Sequence, residues 1–570
     1  MPASAKIPNE LSQRIQSVDG RGYKAYKFLE ETVWDYSPFE LKFEHVQGDP
    51  FAWPTRLAVT VSLKDSGLPP DCHDTPLKRL ALEDFLLRAF HTAVGRMNFK
   101  PSGSGKSGVI TALTPGQKIL KRSAVAVADG QVELIHFVGL PADGRKVLGR
   151  QCLQLFAEHL PRIWHESLLA ESFNLNDLNR HWQTLEDYAA LQGHLRSHQW
   201  TAFVADGSIL PRRSGISDQP MKKHAIAFRA PEDYCATVDL PHRGSVRGLA
   251  LPQGITLVVG GGFHGKSTLL KAIQSAVDPH IPGDGRETIA TLNSAVKIRA
   301  EDGRAVREVD ISAFMDALPG IASTRNFSTL SASGSTSQAV NIIEALEAGT
   351  ELLLMDEDTC ASNFMIRDSR MQALVQSDHE PITPLLDRIQ EIYEKFGVSS
   401  LLVMGGSGDY FEPAREVIAM HEFQPQWVTA KAKSIAAAQP TGRQQEIRFG
   451  FPALQPRRID PRALSFRRNR KDCVIQTRGV DALIFGTTEV NTRAIEQLAE
   501  AGQLEMIGWI LKRLKMELEA GAVSNLAGLK IIFAEMKQTG FGPLVPYNNG
   551  LLTLPRQQEV LAVLNRIRYS

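Results

Sequence analysis

Gly260-Gly261-Gly262-Phe263-His264-Gly265-Lys266-Ser267 is the stretch on which the reading of this chain turns. It fits G-x-x-x-x-G-K-[ST], the pattern of a phosphate-binding loop, and Thr268 continues it. Before it, Gly254-Ile255-Thr256-Leu257-Val258-Val259 reads as a turn and a buried strand. After it, Thr268-Leu269-Leu270-Lys271-Ala272-Ile273 reads as the start of a helix. Strand, loop and helix are the context in which the motif has a mechanism. Glycines let successive N–H groups curl around phosphate oxygens, and the helix N-terminus adds a positive dipole. Lys266 is expected to reach the β- and γ-phosphates of a nucleoside triphosphate, and Ser267 to ligate Mg2+. The competing reading is a Gly-rich turn that happens to carry a lysine, and it does not account for the flanking elements.

A phosphate loop by itself implies binding, not hydrolysis. Roughly ninety residues on, Leu352-Leu353-Leu354-Met355-Asp356-Glu357 supplies the rest. Four apolar residues predict a buried parallel strand, with two carboxylates at its C-terminal end, the edge at which α/β sheets bind nucleotides. Asp356 is expected in the Mg2+ shell, and Glu357 to orient or deprotonate the attacking water. The alternative is a helix start with acids at its positive end. Between the two motifs, Ser331-Ala332-Ser333-Gly334-Ser335-Thr336-Ser337-Gln338 precedes an amphipathic helical pattern from Ala339 to Glu347. A hydroxyl-rich loop entering a helix is a second anion site, centred on Ser333, Gly334 and Ser335. An ordinary N-cap with a flexible lead-in is the simpler account.

These residues carry a resemblance. Ser333 to Ala339, Asp356-Glu357-Asp358-Thr359, Asn363-Phe364-Met365-Ile366-Arg367-Asp368 and Gly405-Gly406-Ser407-Gly408-Asp409-Tyr410-Phe411 resemble the predicted ABC-class ATPase family, non-transporter proteins that include a trypanosomal mitochondrial RNA-editing-associated ATPase. Gly20-Arg21-Gly22-Tyr23-Lys24-Ala25-Tyr26-Lys27 and Gln47-Gly48-Asp49-Pro50-Phe51 are similar to its N-terminal domain, so the resemblance covers nearly the whole chain. It implies a homodimeric, ring-like ATPase with a basic channel that binds nucleic acid. It also implies that Ser333 and Gly334 contact the γ-phosphate held at Lys266 of a second subunit, so that ATP is part of the dimer interface. The chain departs from ordinary ABC ATPases in two places. The strand after Asp-Glu, Ser400 to Met404, is followed by no switch His, leaving Ser407 or Asp409 to sense the γ-phosphate. Nor is there the usual sensing glutamine; Asp310 or Ser312 lies nearest its expected place. Both departures point to slow hydrolysis.

The chain has 570 residues, 43% hydrophobic and 22% charged, which suits a globular protein of several domains. No apolar run approaches the ~20 residues that span a bilayer, and Met1 to Gly20 does not read as a signal peptide. Cys72, Cys152, Cys235, Cys360 and Cys473 are scattered, which argues against zinc or a disulfide framework and for a cytoplasmic protein. Net charge is +1, unevenly placed: from Pro440 onward 19 Lys and Arg face 12 Asp and Glu. A basic module on a slightly acidic body suggests a polyanionic partner.

The resulting expectation is an α/β protein in three parts: an N-terminal domain over 1–165, an ABC-type P-loop ATPase core over 166–440, and a basic C-terminal α/β domain over 441–570. In the first, Ser102-Gly103-Ser104-Gly105-Lys106-Ser107-Gly108 mimics a second phosphate loop, but Lys100 stands where its first Gly should be and no clear strand leads in. A backbone phosphate contact and a polar loop are equal readings of it. Arg212 and Arg213, with Lys222-Lys223-His224, form a basic loop of the same ambiguity. Phe228 and Tyr234 are candidates to stack on adenine, or core residues. Gln424 to Gly442 reads as a linker. Arg457, Arg458, Arg462, Arg467, Arg468, Arg470 and Lys471 crowd one stretch with a single acid and Phe466 interleaved. Guanidinium suits phosphate, and such contacts give sequence-tolerant, salt-sensitive binding. Nucleic acid, RNA ahead of DNA, is the expected partner; a solvated tract is the plainer one. Lys512, Arg513 and Lys515 on a helix from Met506 to Ala520 extend the basic surface.

Overall fold

The computed structural model describes residues 6–97, 102–316, 318, 320 and 323–568. Lys100, and the first five residues of the segment tested for a signal peptide, lie outside them. The chain divides into two compact units, residues 1–186 with 545–554, and residues 187–544 with 555–570. No described helix is long and apolar enough to cross a membrane.

The first unit is built on an antiparallel sheet in the order Val33–Tyr36, Phe39–His45, Thr55–Ser62, Gln131–Val138 and Ile110–Thr111, with Val125–Ala128 also on Gln131–Val138. Alternation sets its faces: Phe39, Leu41 and Phe43 point into the core, while Glu40 and Lys42 point out. The helix Pro76–Arg96 covers the inner face. Thr75 caps it by accepting from the Lys78 N–H, and Pro76 occupies the first turn, where no N–H is missed. Trp164 is fully buried and meets the rings of Tyr36 and Phe39 edge-on. Residues 545–554 join this unit through the backbone: Ser123 N–H donates to Leu552 O at 2.8 Å and Leu554 N–H to Lys121 O at 2.9 Å.

The second unit holds a six-stranded sheet in the order Val296–Ile298, Leu352–Asp356, Ser399–Val403, Ile255–Val259, Glu416–His421 and Gln424–Trp427. Its first five strands are parallel, and Gln424–Trp427 returns antiparallel at the edge. Leu352–Asp356 is buried at every position because helices cover both faces of such a sheet. The helices Lys266–Ser275, Gly334–Glu347 and Leu385–Phe396 connect these strands. A second, antiparallel sheet runs Ala236–Leu240, Gly244–Pro252, Trp200–Ala205, Ile289–Thr291.

Two sequence expectations change here. The segment read as a linker from Gln424 carries the edge strand and then the helix Thr429–Ala438, because Ala and Lys suit a helix as well as a linker. The helix Gly334–Glu347, read as amphipathic, is buried from Ser335 to Leu346. Its polar stripe is paired instead of solvated: Gln338 Oε1 accepts from Ala361 N–H, Asn341 Nδ2 donates to Arg299 O, and Glu344 pairs with Arg304.

Candidate nucleotide site

The phosphate loop joins the strand Ile255–Val259 to the helix Lys266–Ser275 at the C-terminal edge of the parallel sheet. Two glycines are required by geometry. Gly260 has φ +138°, and a Cβ there would stand 2.5 Å from the Met420 carbonyl. Gly265, the residue before the helix, has φ +95°, with the Phe423 ring 3.0 Å from where a Cβ would be. Lys266 Nζ donates to the carbonyls of Gly260 at 2.7 Å and Gly261 at 2.8 Å, so the ammonium stands across the mouth of its own loop. Ser267 and Thr268 follow on the first helical turn, and Phe263 is fully exposed with φ +63°.

The neighbouring turn braces this loop, which sequence reasoning missed. His264 Nδ1 accepts from the Glu422 N–H at 2.9 Å, so Nε2 carries the proton of the neutral ring. The His264 ring stacks on His421 at 5.3 Å, and Phe423 N–H donates to His264 O at 3.2 Å. Glu422 and Phe423 hold left-handed backbone, at φ +46° and +67°, to make these contacts. Phe423 is half-exposed beside Gly265. Of the two residues that could stack on adenine or belong to the core, Phe228 is a core residue, and Tyr234 stacks on Trp427 at 5.5 Å with rings parallel.

Asp356 ends its strand beside this edge, and Glu357 opens the short 3-10 turn that follows. Asp356 is buried and accepts from the Asp358 N–H at 3.4 Å. Glu357 Oε2 accepts from the N–H of Gly405 at 2.5 Å and of Gly406 at 3.1 Å. A Cβ on Gly406 would fall 2.8 Å from Glu357 Oε1. One on Gly405 would lie 3.6 Å from Glu357 Oε2 and 3.8 Å from Lys266 Nζ. Gly405 therefore borders both the carboxylate and the ammonium, and two backbone amides hold Glu357 where ordinary ABC ATPases carry a histidine. The Gly-Gly pair after a strand was visible in the sequence, but a backbone donor leaves no side-chain signature. Asp409, one alternative there, is raised by burial and faces Arg443, Glu412 and Asp368. Cys360, close by, has its thiol pushed up to about 11 by burial, which keeps it protonated at neutral pH.

Asp310 and Ser312 do not lie on this edge strand. Ser312 donates to Asp310 through N–H and Oγ, just past the strand Arg304–Val309. The edge strand paired with Leu352–Asp356 is Val296–Ile298, and it runs into Arg299-Ala300-Glu301. Ala300 N–H donates to Thr359 O at 2.9 Å, two residues past Glu357.

Ser333 caps the helix Gly334–Glu347: its Oγ accepts from the Thr336 N–H and lies 2.9 Å from Thr336 Oγ1. A Cβ on Gly334 would meet Asp302 Oδ1 at 3.3 Å, and Ser335 Oγ donates to Asn363 Oδ1 at 2.7 Å. These partners all lie outside the phosphate loop of the same chain.

The basic residues separate into two groups. Arg457 is committed to Glu347 at 2.6 Å, Glu344 at 3.4 Å and Asn565 at 3.1 Å; Arg458 donates to the carbonyls of Leu518 and Ala522. Arg513 pairs with Glu517 and Glu535, Lys515 stands 4.0 Å from Glu519, and Lys512 lies over the Trp509 ring. Phe466 is buried against Phe485, which removes it as a base-stacking residue. In contrast, Arg467, Arg468, Arg470 and Lys471 are exposed on a tight turn closed by reciprocal backbone bonds between Arg468 and Lys471. Arg467 stands 3.7 Å from the exposed Asp472, and Arg462 2.9 Å from Asp460. Arg212 forms a bidentate pair with Asp284, while Arg213, Lys222 and Lys223 are exposed. In the 102–108 loop, the amides of Ser104, Lys106, Ser107 and Gly108 all donate to carbonyls of their own unit, and Lys106 Nζ lies over Trp53. That loop has few N–H groups left for a phosphate.

Residues 174–457 match the P-loop domain of ABC ATPases, residues 8–171 the N-terminal domain of ATPases of the ABC class, and residues 474–570 the MRB1590 C-terminal domain. The chain is 34% identical over 187 residues to the uncharacterized protein MJ1628 of Methanocaldococcus jannaschii, a stretch that is 32% of this chain and 40% of that protein. It also aligns with cbiO1 of Clostridium perfringens, part of the ABC transporter complex cbiONQ, at 13% identity and a TM-score of 0.27, over 42% of this chain and 96% of the other. With its P-loop, N-terminal and C-terminal segments each matched, the chain belongs to the ABC-class ATPases, which bind and hydrolyse ATP at a phosphate loop.

Proposed function

We propose that this protein is a cytoplasmic, Mg2+-dependent ATPase that works slowly, as a homodimer, and couples its nucleotide state to binding of nucleic acid, RNA ahead of DNA. The observation that carries the catalytic part is the Glu357 carboxylate held by the Gly405 and Gly406 amides, with Lys266 Nζ also close to Gly405. In this reading the loop from Gly260 to Thr268 cradles the triphosphate, and Lys266 leaves its own carbonyls for the β- and γ-phosphates. Ser267 and Asp356 are the oxygen donors for Mg2+, which takes few protein ligands and completes its shell with phosphate and water. The ion supplies countercharge to the phosphates. Glu357 accepts the proton of the attacking water, and its two amide donors orient it without adding the positive charge of an imidazolium. The absent cation is the physical reason for slow turnover. Ser333, Gly334 and Ser335 present a capped helix N-terminus whose own partners lie away from Lys266, which suits pairing with a second subunit's ATP.

The exposed turn Arg467–Lys471, together with Arg462, is the nucleic-acid surface of this reading. A second reading, a nucleotide-controlled protein-interaction switch with no nucleic-acid role, is favoured by the internal pairing of Arg457, Arg458 and Arg513. Glu357→Gln tests the first. Hydrolysis is expected to fall by about a thousandfold, and the variant to sediment as a dimer with ATP. A monomer under those conditions breaks the two-subunit site. Fluorescence anisotropy with generic RNA and DNA at low and high salt separates the two readings.

A further inference from the structure

Beside the N-terminus of the helix Gly334–Glu347 lies a cavity of about 780 Å³ in which six arginines outnumber four carboxylates. One wall is the segment Arg299 to Asp302. A second is the small sheet Ile475–Arg478, Ala482–Phe485, Thr488–Asn491, and a third is the chain end at Arg566 and Arg568. The volume suits a nucleotide-sized ligand.

The arginines differ in how firmly they are held. Arg304 is buried against Glu344 and Asn341, and Arg566 grips Glu301 with two nitrogens. Arg478 and Arg493 are two-thirds or more exposed, and their partners Glu489 and Asp481, at 2.9 Å and 3.4 Å, are at least half exposed. Pairs of that kind contribute little and yield to a better anion. Arg568 donates to the Gly303 carbonyl at 2.9 Å. Three guanidiniums around one cavity therefore await a ligand with several closely spaced anionic oxygens, the geometry guanidinium matches bidentately.

The wall from 300 to 302 also touches both halves of the ATP machinery. Ala300 N–H is bonded to Thr359 O, next to Glu357; Glu301 N–H donates to Ser337 Oγ at 2.8 Å; Asp302 abuts Gly334. We propose that this cavity is an effector site for a short run of phosphates, and that its occupation reaches the ATPase through residues 300–302. The effect on turnover rests on the proposed ATPase reading; the binding does not. A free oligophosphate and the triphosphorylated end of an RNA strand offer the same chemistry.

Tripolyphosphate is the first probe, titrated calorimetrically without Mg2+ into the full-length Lys266→Ala protein so that the phosphate loop is disabled. Binding is expected to persist there, and to weaken roughly tenfold or more in Lys266→Ala/Arg478→Glu/Arg493→Glu. Arg478→Ala/Arg493→Ala, both at exposed positions, is expected to weaken it in the same direction with unchanged circular dichroism. Binding lost on Lys266→Ala alone, or unaltered by the arginine changes, overturns the site. With Mg2+ in excess, tripolyphosphate is expected to shift the ATPase rate of the wild-type protein and not that of Arg478→Glu/Arg493→Glu, whose basal rate is unchanged; equal shifts in both overturn the coupling. An oligouridylate with a 5′-triphosphate, compared with its 5′-hydroxyl twin, separates the sources. Preferential binding of the former assigns a strand end, binding of tripolyphosphate alone assigns a free effector, and binding of neither probe refutes the proposal.

Discussion

The phosphate-loop edge and the basic stretch from Arg457 to Lys471 both stood out in the sequence, and the structure treats them differently. Around Lys266 the motif residues converge: the loop, Glu357 and the Gly405-Gly406 amides meet within hydrogen-bonding reach or close to it. Along the basic stretch the charges disperse. Arg457 and Arg458 bind the protein's own carboxylates and carbonyls, whereas the turn from Arg467 and the isolated Arg462 face outward. A phosphate loop is recognised through backbone conformation, which nearby residues dictate. A surface charge is available or not according to which acid the fold brings beside it.

The sharpest way to break the first half of this contrast is Gly406→Ala. The added Cβ must displace the Glu357 carboxylate, so single-turnover hydrolysis is expected to fall about a hundredfold while ATP binding is unchanged. Equal rates in the two proteins remove the amides from the mechanism. The extreme case of a committed charge is Asp84, fully buried among Arg88, Arg122 and His181. Burial alone would raise its carboxyl, but the Arg88 and Arg122 guanidiniums, with the His181 hydrogen bond, outweigh it and hold it below the usual range. Its folded proton affinity is thus lower than its unfolded one, so its stabilisation is present above the ordinary carboxylate range and lost as pH falls through and below it. Asp84→Asn is expected to cost about 3 kcal/mol at neutral pH, and less in acid, by urea unfolding. A loss independent of pH contradicts the pairing.

The two arginine groups can be set against each other directly. Arg457→Ala takes its guanidinium from Glu347 and leaves Glu344 with Arg304, and is expected to lower stability by about 2 kcal/mol without changing nucleic-acid affinity. Arg467→Ala/Arg468→Ala/Arg470→Ala is expected to leave the melting temperature unchanged. It should weaken RNA binding and flatten the salt dependence by roughly two to three units of slope. If both variants bind alike, the division between committed and presented charge has no functional meaning. The smallest effect belongs to Phe423, half-exposed against Gly265. Stacking on the base predicts that Phe423→Ala raises KM for ATP about fivefold with kcat unchanged; an unaltered KM removes it from the site.

The sequence by itself determined the phosphate-loop strand and helix, the apolar strand ending in Asp356-Glu357, and the helix opened by Ser333. Each depends on residues within one turn or one strand of each other: glycine for a φ that other residues resist, apolar runs for burial on both faces, a hydroxyl to cap a helix. Tertiary structure alone decided what holds Glu357, because Gly405 and Gly406 donate through backbone atoms nearly fifty residues away. It also decided that Arg299-Ala300-Glu301, and not Asp310 or Ser312, continues the edge strand paired with Leu353 to Met355, since strand order is not written in chain order. And it decided which arginines remain free to meet a phosphate, because Glu347 lies 110 residues from Arg457 in the chain and 2.6 Å from it in space.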